Sequence, residues 1–377
     1  MVISKSKMSL KSKILGYVKS NTVTLIALCA AIFTSFIITP DKQYLGYFDF
    51  KTLSCLFCTL AVVCALKNIN FFYILAKKVV RFCKNARLCI LAIVYITFIG
   101  SMLIANDMAL LTFLPLGYFA LSSTEKEKYM AFTFIMQNTA ANLGGMLTPF
   151  GNPQNLYLYT KFEIPTLEFI KIMAPPFTLS VVLITICCIV FVKPEPLSIS
   201  HEKTKLNKQR ALIYLLLFAL SVVIVFRIIP YTMGLVVITV CLLFLDKKAL
   251  ASVDYGLLLT FVFFFVFAGN MARIQPVRDF FGMLLEKNTL VFSVASCQFI
   301  SNVPSAILLS QFTHNYPDLL VGVNIGGVGT IIASLASLIT FREYFSHYPH
   351  KAGKYLALFS LFNVAFVVIL TVFQSLI

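Results

Sequence analysis

The sequence predicts an all-α polytopic membrane protein. Of 377 residues, 59% are hydrophobic and only 12% charged. Several apolar runs reach the ~17 to 25 residues that a spanning helix needs, and turn residues or charge clusters separate them. A β-barrel would show short alternating segments instead of long unbroken runs.

Spanning segments are expected at about 22–39, 50–66, 129–160, 175–192, 211–228, 230–246, 255–271, 320–341 and 353–376, nine in all. Two further apolar stretches, 88–121 and 290–312, carry Asn106-Asp107 and Ser301-Asn302 in their middles. A continuous helix would leave those polar groups little compensation, so each stretch reads as a re-entrant hairpin with its polar residues at the tip.

The basic start, MVISKSKMSLKSK, precedes a run longer than a signal core and lacking a small-residue cleavage pattern, so residues 1–21 read as a cytoplasmic tail before a retained helix. The net charge of +16 could suggest a nucleic-acid partner. Its distribution argues against one. With the N-terminus inside and both hairpins re-entrant, 23 of the 31 Lys and Arg fall in the inside segments, as the positive-inside rule requires. The acids divide seven and seven, leaving Asp107 alone within the apolar segments. A multi-pass protein of the cell membrane, in contact with lipid and not nucleic acid, is the expectation.

Comparing the halves exposes a repeat. YFDFKTLSCLFCTLAVVCALKN (47–68) corresponds to SVDYGLLLTFVFFFVFAGNMAR (252–273), and IANDMALL (104–111) to ISNVPSAILL (300–309). ANLGGMLTPFGNPQN (141–155) matches VNIGGVGTIIASLAS (323–337) at a constant offset, pairing Asn142 with Asn324, Gly144-Gly145 with Gly326-Gly327 and Thr148 with Thr330. The first repeat is expected over 22–192, with hairpin 88–121 opening inward. A cytoplasmic linker (193–210) and one extra helix (211–228) then lead to the second repeat (229–377), whose hairpin 290–312 opens outward. The odd helix inverts the second copy, an arrangement typical of secondary transporters whose site lies at the repeat interface.

Non-helical backbone at membrane depth survives only when buried in protein or lining a wet cavity. The hairpin tips and the Gly/Pro-interrupted helices would bring four such places together, offering positive helix N-termini to an anion and free carbonyls to a cation. The candidate substrate-binding residues are Asn106, Asn142, Asn152, Asn155, Ser301, Asn302, Asn324, Thr330 and Ser337. The candidate ion-coupling residues are Asn106, Asp107, Thr148, Gly151, Asn152, Asn302, Ala333 and Ser334. Such oxygen-rich sets suit hard cations such as sodium, while glycine and asparagine also serve simple helix packing.

An acid at the bilayer centre costs about 2.5 to 3.5 kcal/mol on insertion scales, so Asp107 is expected to be protonated, cation-bound or hydrated. No Lys or Arg lies within a predicted core segment to neutralise it. It is also placed to cap the second half-helix by accepting free N–H groups.

IANDMALLTFLPL, NLGGMLTPFGNPQN, SNVPSAILL and NIGGVGTIIASLAS together resemble the paired hairpin and broken-helix signatures of the ion transporter superfamily, over nearly the whole chain after residue 20. That superfamily includes divalent-anion/sodium symporters, citrate transporters, arsenite permeases and certain sodium/proton antiporters. The resemblance implies a scaffold and a moving transport part, often in a homodimer, with an elevator-like motion. In the carboxylate branch the tips read Ser-Asn-Thr, and the Asn at each tip helps bind sodium and substrate; this carries over to Asn106 and to Ser301-Asn302. Backbone sodium ligands at the following break correspond to Gly151-Asn152 and Ala333-Ser334. Asp107 and Val303 replace the tip threonines, and an Asn-Asp tip is closer to the arsenite permease and antiporter branches.

The expected function is therefore ion-coupled transport of a small anion, with citrate or a dicarboxylate leading and cation/proton antiport or arsenite export as rivals. No cofactor is expected beyond the coupling sodium or proton. An intramembrane enzyme is disfavoured: His201, His314, His347 and His350 all fall in predicted loops, and no HExxH or G-x-S-x-G is present. Cys55-x-x-Cys58 lies within an apolar run with no second pair, so it reads as packing and not as a metal site.

Overall fold

Capped, apolar stretches set the helices of this chain, and a computed structural model describes them over residues 22–80, 82–197 and 206–377. The basic segment 1–21 and His201 lie outside the described residues, as does most of the linker's middle. The described residues contain helices and no strand, in the order α1 Thr22–Ile37, α2 Phe50–Asn68, α3 Phe71–Val80, α4 Ala86–Ile104, α5 Asn106–Ser122, α6 Met130–Gly144, α7 Pro153–Lys161, α8 Thr166–Phe191 and α9 Lys208–Val225. There follow α10 Tyr231–Leu245, α11 Lys247–Ala251, α12 Tyr255–Ala272, α13 Gln275–Ile300, α14 Asn302–Leu309, α15 Tyr316–Gly326, α16 Leu335–His347 and α17 Ala352–Ser375.

Side-chain oxygens mark several starts. Asp49 accepts from the Thr52 N–H at 2.9 Å, Asn85 from Leu88 at 2.9 Å and Asp254 from Leu257 at 2.9 Å, each closing an otherwise open first turn. Among the described residues, six helices are long and apolar enough to cross a membrane: α2, α4, α8, α9, α12 and the C-terminal one, Pro349–Ser375 as a unit. Two shorter apolar helices, Val23–Ile37 and α10, add to them. Outward-facing Val190, Phe191, Leu216, Phe244 and Leu361 are exposed on α8, α9, α10 and α17, the surface a lipid-facing helix presents. The chain is a polytopic α-helical membrane protein.

One boundary differs clearly from expectation. The helix expected from 175 starts at Thr166, with Pro175 and Pro176 inside it, because Pro165 supplies the earlier start. The first arm of the second hairpin begins after Asn288, close to the expected 290: Asn288 is non-helical (φ −166°, ψ 94°), its side chain caps the next turn at Val291, and the amphipathic 275–287 stretch is a separate helical piece joined there by a kink. The expected spans 129–160 and 320–341 are each two helices separated by irregular backbone.

Two tight hairpins dominate the interior. In the first, α4 reverses at Ala105 into α5, and a Cβ on Gly100 or Gly117 would strike Phe113 or reach Ile93, pairing positions on either side of the tip. In the second, α13 reverses at Ser301 into α14, and Ser296 Oγ meets Ser305 Oγ at 2.9 Å. Helix α2, ~28 Å long by its 1.5 Å rise per residue, relates their open ends. At its Asn68 end, Asn68 donates to Asp246 (3.0 Å), and α3 carries Lys77 over the Phe119 ring of the first hairpin at 5.9 Å. At its Asp49 end, one cavity joins Asp49 to Tyr157 and Gln311, beside the mouth of the second hairpin. The hairpins open at opposite ends of the molecule.

At the first of these ends, here the linker face, Glu195 accepts from Lys126 (3.0 Å) and Tyr129 (3.0 Å) and pairs with Lys128, while its backbone carbonyl accepts from Ala86 N–H (2.8 Å). Arg87 donates to the Val192 carbonyl (2.7 Å). The start of the linker thus ties the mouth of the first hairpin to α6. At the far face, Arg273 grips Asp41 through both guanidinium nitrogens (3.1 and 2.7 Å) and holds its carboxyl below the usual range. Lys128, Lys126 and Tyr129 hold the Glu195 carboxyl down to about 2, from an ordinary 4.5.

Two outcomes follow. A depressed carboxylate contributes stability that is present above its unfolded value and lost as pH falls toward its folded one. The small melting-temperature deficit of Glu195→Gln relative to the native chain should therefore be visible at neutral pH and vanish as pH falls from 4.5 to about 2. A Cβ on Gly144 would lie 2.2 Å from the Phe98 carbonyl, so Gly144→Ala should destabilise by about 1–3 kcal/mol in thermal denaturation of solubilised protein. Gly353→Ala, where a Cβ meets nothing within 4 Å, should not.

Candidate functional site

Each hairpin tip is a single residue in the same unusual backbone. Ala105 has φ 65° and ψ 150°, and Ser301 has φ 72° and ψ 159°, a region that disfavours any side chain and costs of order 1–3 kcal/mol. The next residue is asparagine in both, and its side-chain oxygen accepts the following N–H: Asn106 from Asp107 and Asn302 from Val303, each at 2.9 Å. A free helix-start N–H is thereby satisfied where water is scarce.

The broken helices dock on these hairpins in matched fashion. Gly144 sits on Phe98 and Ser101, and Gly326 on Val294 and Cys297; a Cβ on Gly326 would be 2.8 Å from the Cys297 Cβ. The residues beneath them are seven and four positions before each tip. Thr148 donates to the carbonyl of Met102 (2.7 Å) and Thr330 to that of Gln298 (3.2 Å), both three positions before the tip. After each break, Gly151 N–H donates to Thr148 and Ala333 N–H to Thr330, and Asn152 and Ser334 begin the next helix.

Amide side chains join the breaks. Asn106 donates to Asn142 (3.2 Å). Asn152 donates to the Asn142 carbonyl (3.1 Å) and across to Asn324 Oδ1 (3.1 Å), which also accepts from Gln154 (3.2 Å). Asn324 in turn donates to Asn155 (2.6 Å), and Asn155 closes on the carbonyls of Gly145 and Met146 at 3.2 Å. All of these side chains are buried. In the second half, Asn302 N–H and the Ser301 hydroxyl donate to the Ala333 carbonyl (2.9 and 3.2 Å), and Ser334 meets Ser337 at 3.0 Å. Ser337 is joined back to the first half by Asn138 (3.2 Å).

Asn152 Oδ1 and Gln154 Oε1 in this network, and Asp107 Oδ1 next along the chain from Asn106, are buried with no hydrogen-bond partner among the described residues. All three are acceptors. Buried acceptors without donors are costly, and oxygen acceptors are what a hard cation, a proton or a solute hydroxyl would satisfy.

The structure thus brings Asn106, Asn142, Asn152, Asn155 and Asn324 into one network, and joins Ser301, Asn302, Ala333, Ser334 and Ser337 beside it. Thr148, Gly151 and Thr330 act as latches between hairpin and break. Thr330 is exposed in the chain.

Two expectations change. Asp107 does not cap α5: it stands one residue too far along the helix, and Asn106 takes that part. Nor are basic residues excluded from the predicted spans. Arg227 lies just past α9 with its guanidinium 4.3 Å from the Tyr159 ring centroid, donating to the Tyr159 carbonyl near the end of α7. It is committed to a helix C-terminus, where a cation is favoured.

Asn138, Gln154 and Gln298 belong to the site although sequence patterns did not single them out. Gln298 accepts from Thr330 N–H (2.8 Å) and donates to the Gly326 carbonyl (2.9 Å), holding the second break to its hairpin; the corresponding place in the first hairpin is Met102. Polar residues inside apolar runs were the available signal for Asn138 and Gln298.

Comparison with known proteins agrees with this architecture. The citrate transporter family profile, CitMHS, matches residues 11–317. An uncharacterized transporter of Methanocaldococcus jannaschii is 31% identical over 333 residues, 87% of this chain and 90% of that one. The inner membrane protein YbiR of Escherichia coli is 27% identical over 318 residues (81% and 83%), and the silicon efflux transporter LSI3 of Oryza sativa subsp. japonica 29% over 140 residues (37% and 28%). A profile match across most of the chain, with a full-length transporter relative beside it, makes this protein a member of the citrate transporter family and of the wider ion transporter superfamily.

Proposed function

We propose that the protein is an ion-coupled secondary transporter of a small anion, with citrate or a dicarboxylate as the leading solute. The observation that carries this reading is the buried amide network from both halves of the chain, with three acceptor oxygens left unpartnered in or beside it. A solute carboxylate would take the amide and hydroxyl donors and the helix starts behind Asn106 and Asn302. The coupling sodium or proton would take Asp107, and Asn152, Thr148 and the carbonyls of Gly151 and Ala333 are the further candidate oxygen ligands. Because no lysine or arginine belongs to the network, the cation would supply the charge that an anion needs, which makes cotransport physically sensible.

In this reading the chain is an inverted-topology repeat in the cell membrane, with its N-terminus cytoplasmic and the linker face inside. The hairpins and broken helices move as a unit past the remaining helices in an elevator-type motion, within a homodimer. Opposite-facing hairpins of matched tip geometry support that scheme.

A second reading has its own support. The Asn-Asp tip and the missing positive charge favour sodium/proton antiport, or passage of an arsenite-like hydroxide acid, through Asp107. A rice relative named a silicon efflux transporter points the same way.

Proteoliposome flux separates these readings. Uptake of labelled citrate or succinate under a sodium or proton gradient is expected for the first; sodium-driven proton movement with no organic solute would replace it with the second. Asn106→Ala and Asn302→Ala should each lower gradient-driven uptake about tenfold or more, since each strands buried partners. Indifference at either position would confine the site to one half. Asp107→Asn should flatten the dependence of flux on pH and sodium, and an unchanged dependence would remove Asp107 from coupling.

A further inference from the structure

A second polar cavity, of about 400 Å³, opens at the far face. It is not part of the amide network. Its walls come from the start of α2 (Asp49, Lys51), the turn before it (Tyr47), the end of α7 (Tyr157, Lys161) and Gln311, just beyond α14. The size falls within the range of small-molecule sites, ~300 to 1,000 Å³.

Its charges are unevenly committed. Asp49 is bound to the first turn of α2, accepting from the Thr52 N–H at 2.9 Å and from the Thr52 hydroxyl, so its charge serves the helix start. Lys51 and Lys161 are both half-buried. Neither has a carboxylate within ion-pair distance among the described residues; the Tyr157 ring lies 5.9 Å from the Lys161 ammonium, and Asp49 attracts that charge from beyond ion-pair distance. The Tyr157 hydroxyl meets Ser310 at 2.9 Å and lies 3.4 Å from the Gln311 amide, so the cavity floor is continuous with the mouth of the second hairpin. Glu163, the other acid lining the cavity, is exposed. Two half-buried ammonium groups without carboxylate partners, beside an amide donor and phenol hydroxyls, are the complement of an anion carrying more than one carboxylate.

We propose that this cavity is an anion-binding site separate from the hairpin tips, taking a di- or tricarboxylate between Lys51 and Lys161. It supplies, at the far face, the positive side chains that the amide network lacks. The site stands whether or not the solute that crosses the membrane is a carboxylate.

The chain contains no tryptophan, so Phe48→Trp in the cavity wall gives a fluorescence signal from this place alone. The test titrates the full-length protein in detergent micelles with citrate, acetate and sulfate at constant ionic strength. A saturable emission change is expected with citrate, at lower concentration than with acetate or sulfate. Adding Lys161→Gln should move the citrate midpoint about tenfold upward, the loss of one charge-assisted contact, and Lys161→Arg should largely restore it. Glu163→Gln should move it downward, the opposite direction, by removing a like charge from the rim. Asn302→Ala should leave the midpoint unchanged even where it abolishes flux, which separates this site from the transport reading. The proposal is overturned by the absence of a saturable citrate signal, by a midpoint indifferent to Lys161→Gln, or by equal response to all three anions. If Phe48→Trp fails to fold, the same series read by the citrate-induced rise in melting temperature, in the Asn302→Ala background, decides the matter in the same way.

Discussion

Backbone polar groups buried away from water must find partners, and the centre of this protein is organised by that requirement. Four places in the interior leave the helical hydrogen-bond pattern: the tips at Ala105 and Ser301 and the breaks after Gly144 and Gly326. Each is repaired by a side-chain amide. Asn106 and Asn302 repair the tips, Asn155 repairs the first break and Gln298 the second. Amides suit the task because each offers donors and an acceptor without a charge to desolvate. Beside these repairs, Asp107, Asn152 and Gln154 carry buried oxygens with no hydrogen-bond partner among the described residues, the oxygens on which the proposed transport reading rests.

The two halves solve the problem alike but not identically. Glycine contacts, threonine latches and asparagine caps recur at equivalent positions. Gln298 then sits where the first half has Met102, and Asn155 stands where the second half has Ser337. The second break is pinned to its hairpin by a side-chain amide, whereas the first is pinned largely from within by Asn155. The acid also belongs to the first half alone. The unpartnered acceptors of Asp107, Asn152 and Gln154 all lie in the first half, and the hydroxyls of Ser301, Ser334 and Ser337 in the second.

Much of this was legible in the sequence, for definite reasons. Hydrophobic run length located most helices, because lipid allows few alternatives. The polar pairs Asn106-Asp107 and Ser301-Asn302 located both tips, because such residues cannot sit unpaired in an apolar helix. The constant offset between residues 141–155 and 323–337 identified the breaks. Other features depend on three-dimensional arrangement. The span expected from 175 begins at Thr166, because the helix runs on through Pro175 and Pro176. Asp107 looked like a cap, but the cap belongs to the residue directly after the turn. The roles of Asn138, Gln154 and Gln298 depend on neighbours up to 202 positions away, which local pattern does not encode.

That amides from both halves close one shared pocket can be tested by a double-mutant cycle on the 3.1 Å contact between Asn152 and Asn324. Equilibrium unfolding in mixed micelles of Asn152→Ala, Asn324→Ala and the double variant gives the coupling directly. A shared network predicts an interaction energy of about 0.5 to 3 kcal/mol, the double variant losing clearly less than the sum of the singles. Additive losses within about 0.5 kcal/mol, the behaviour of distant sites, would contradict it.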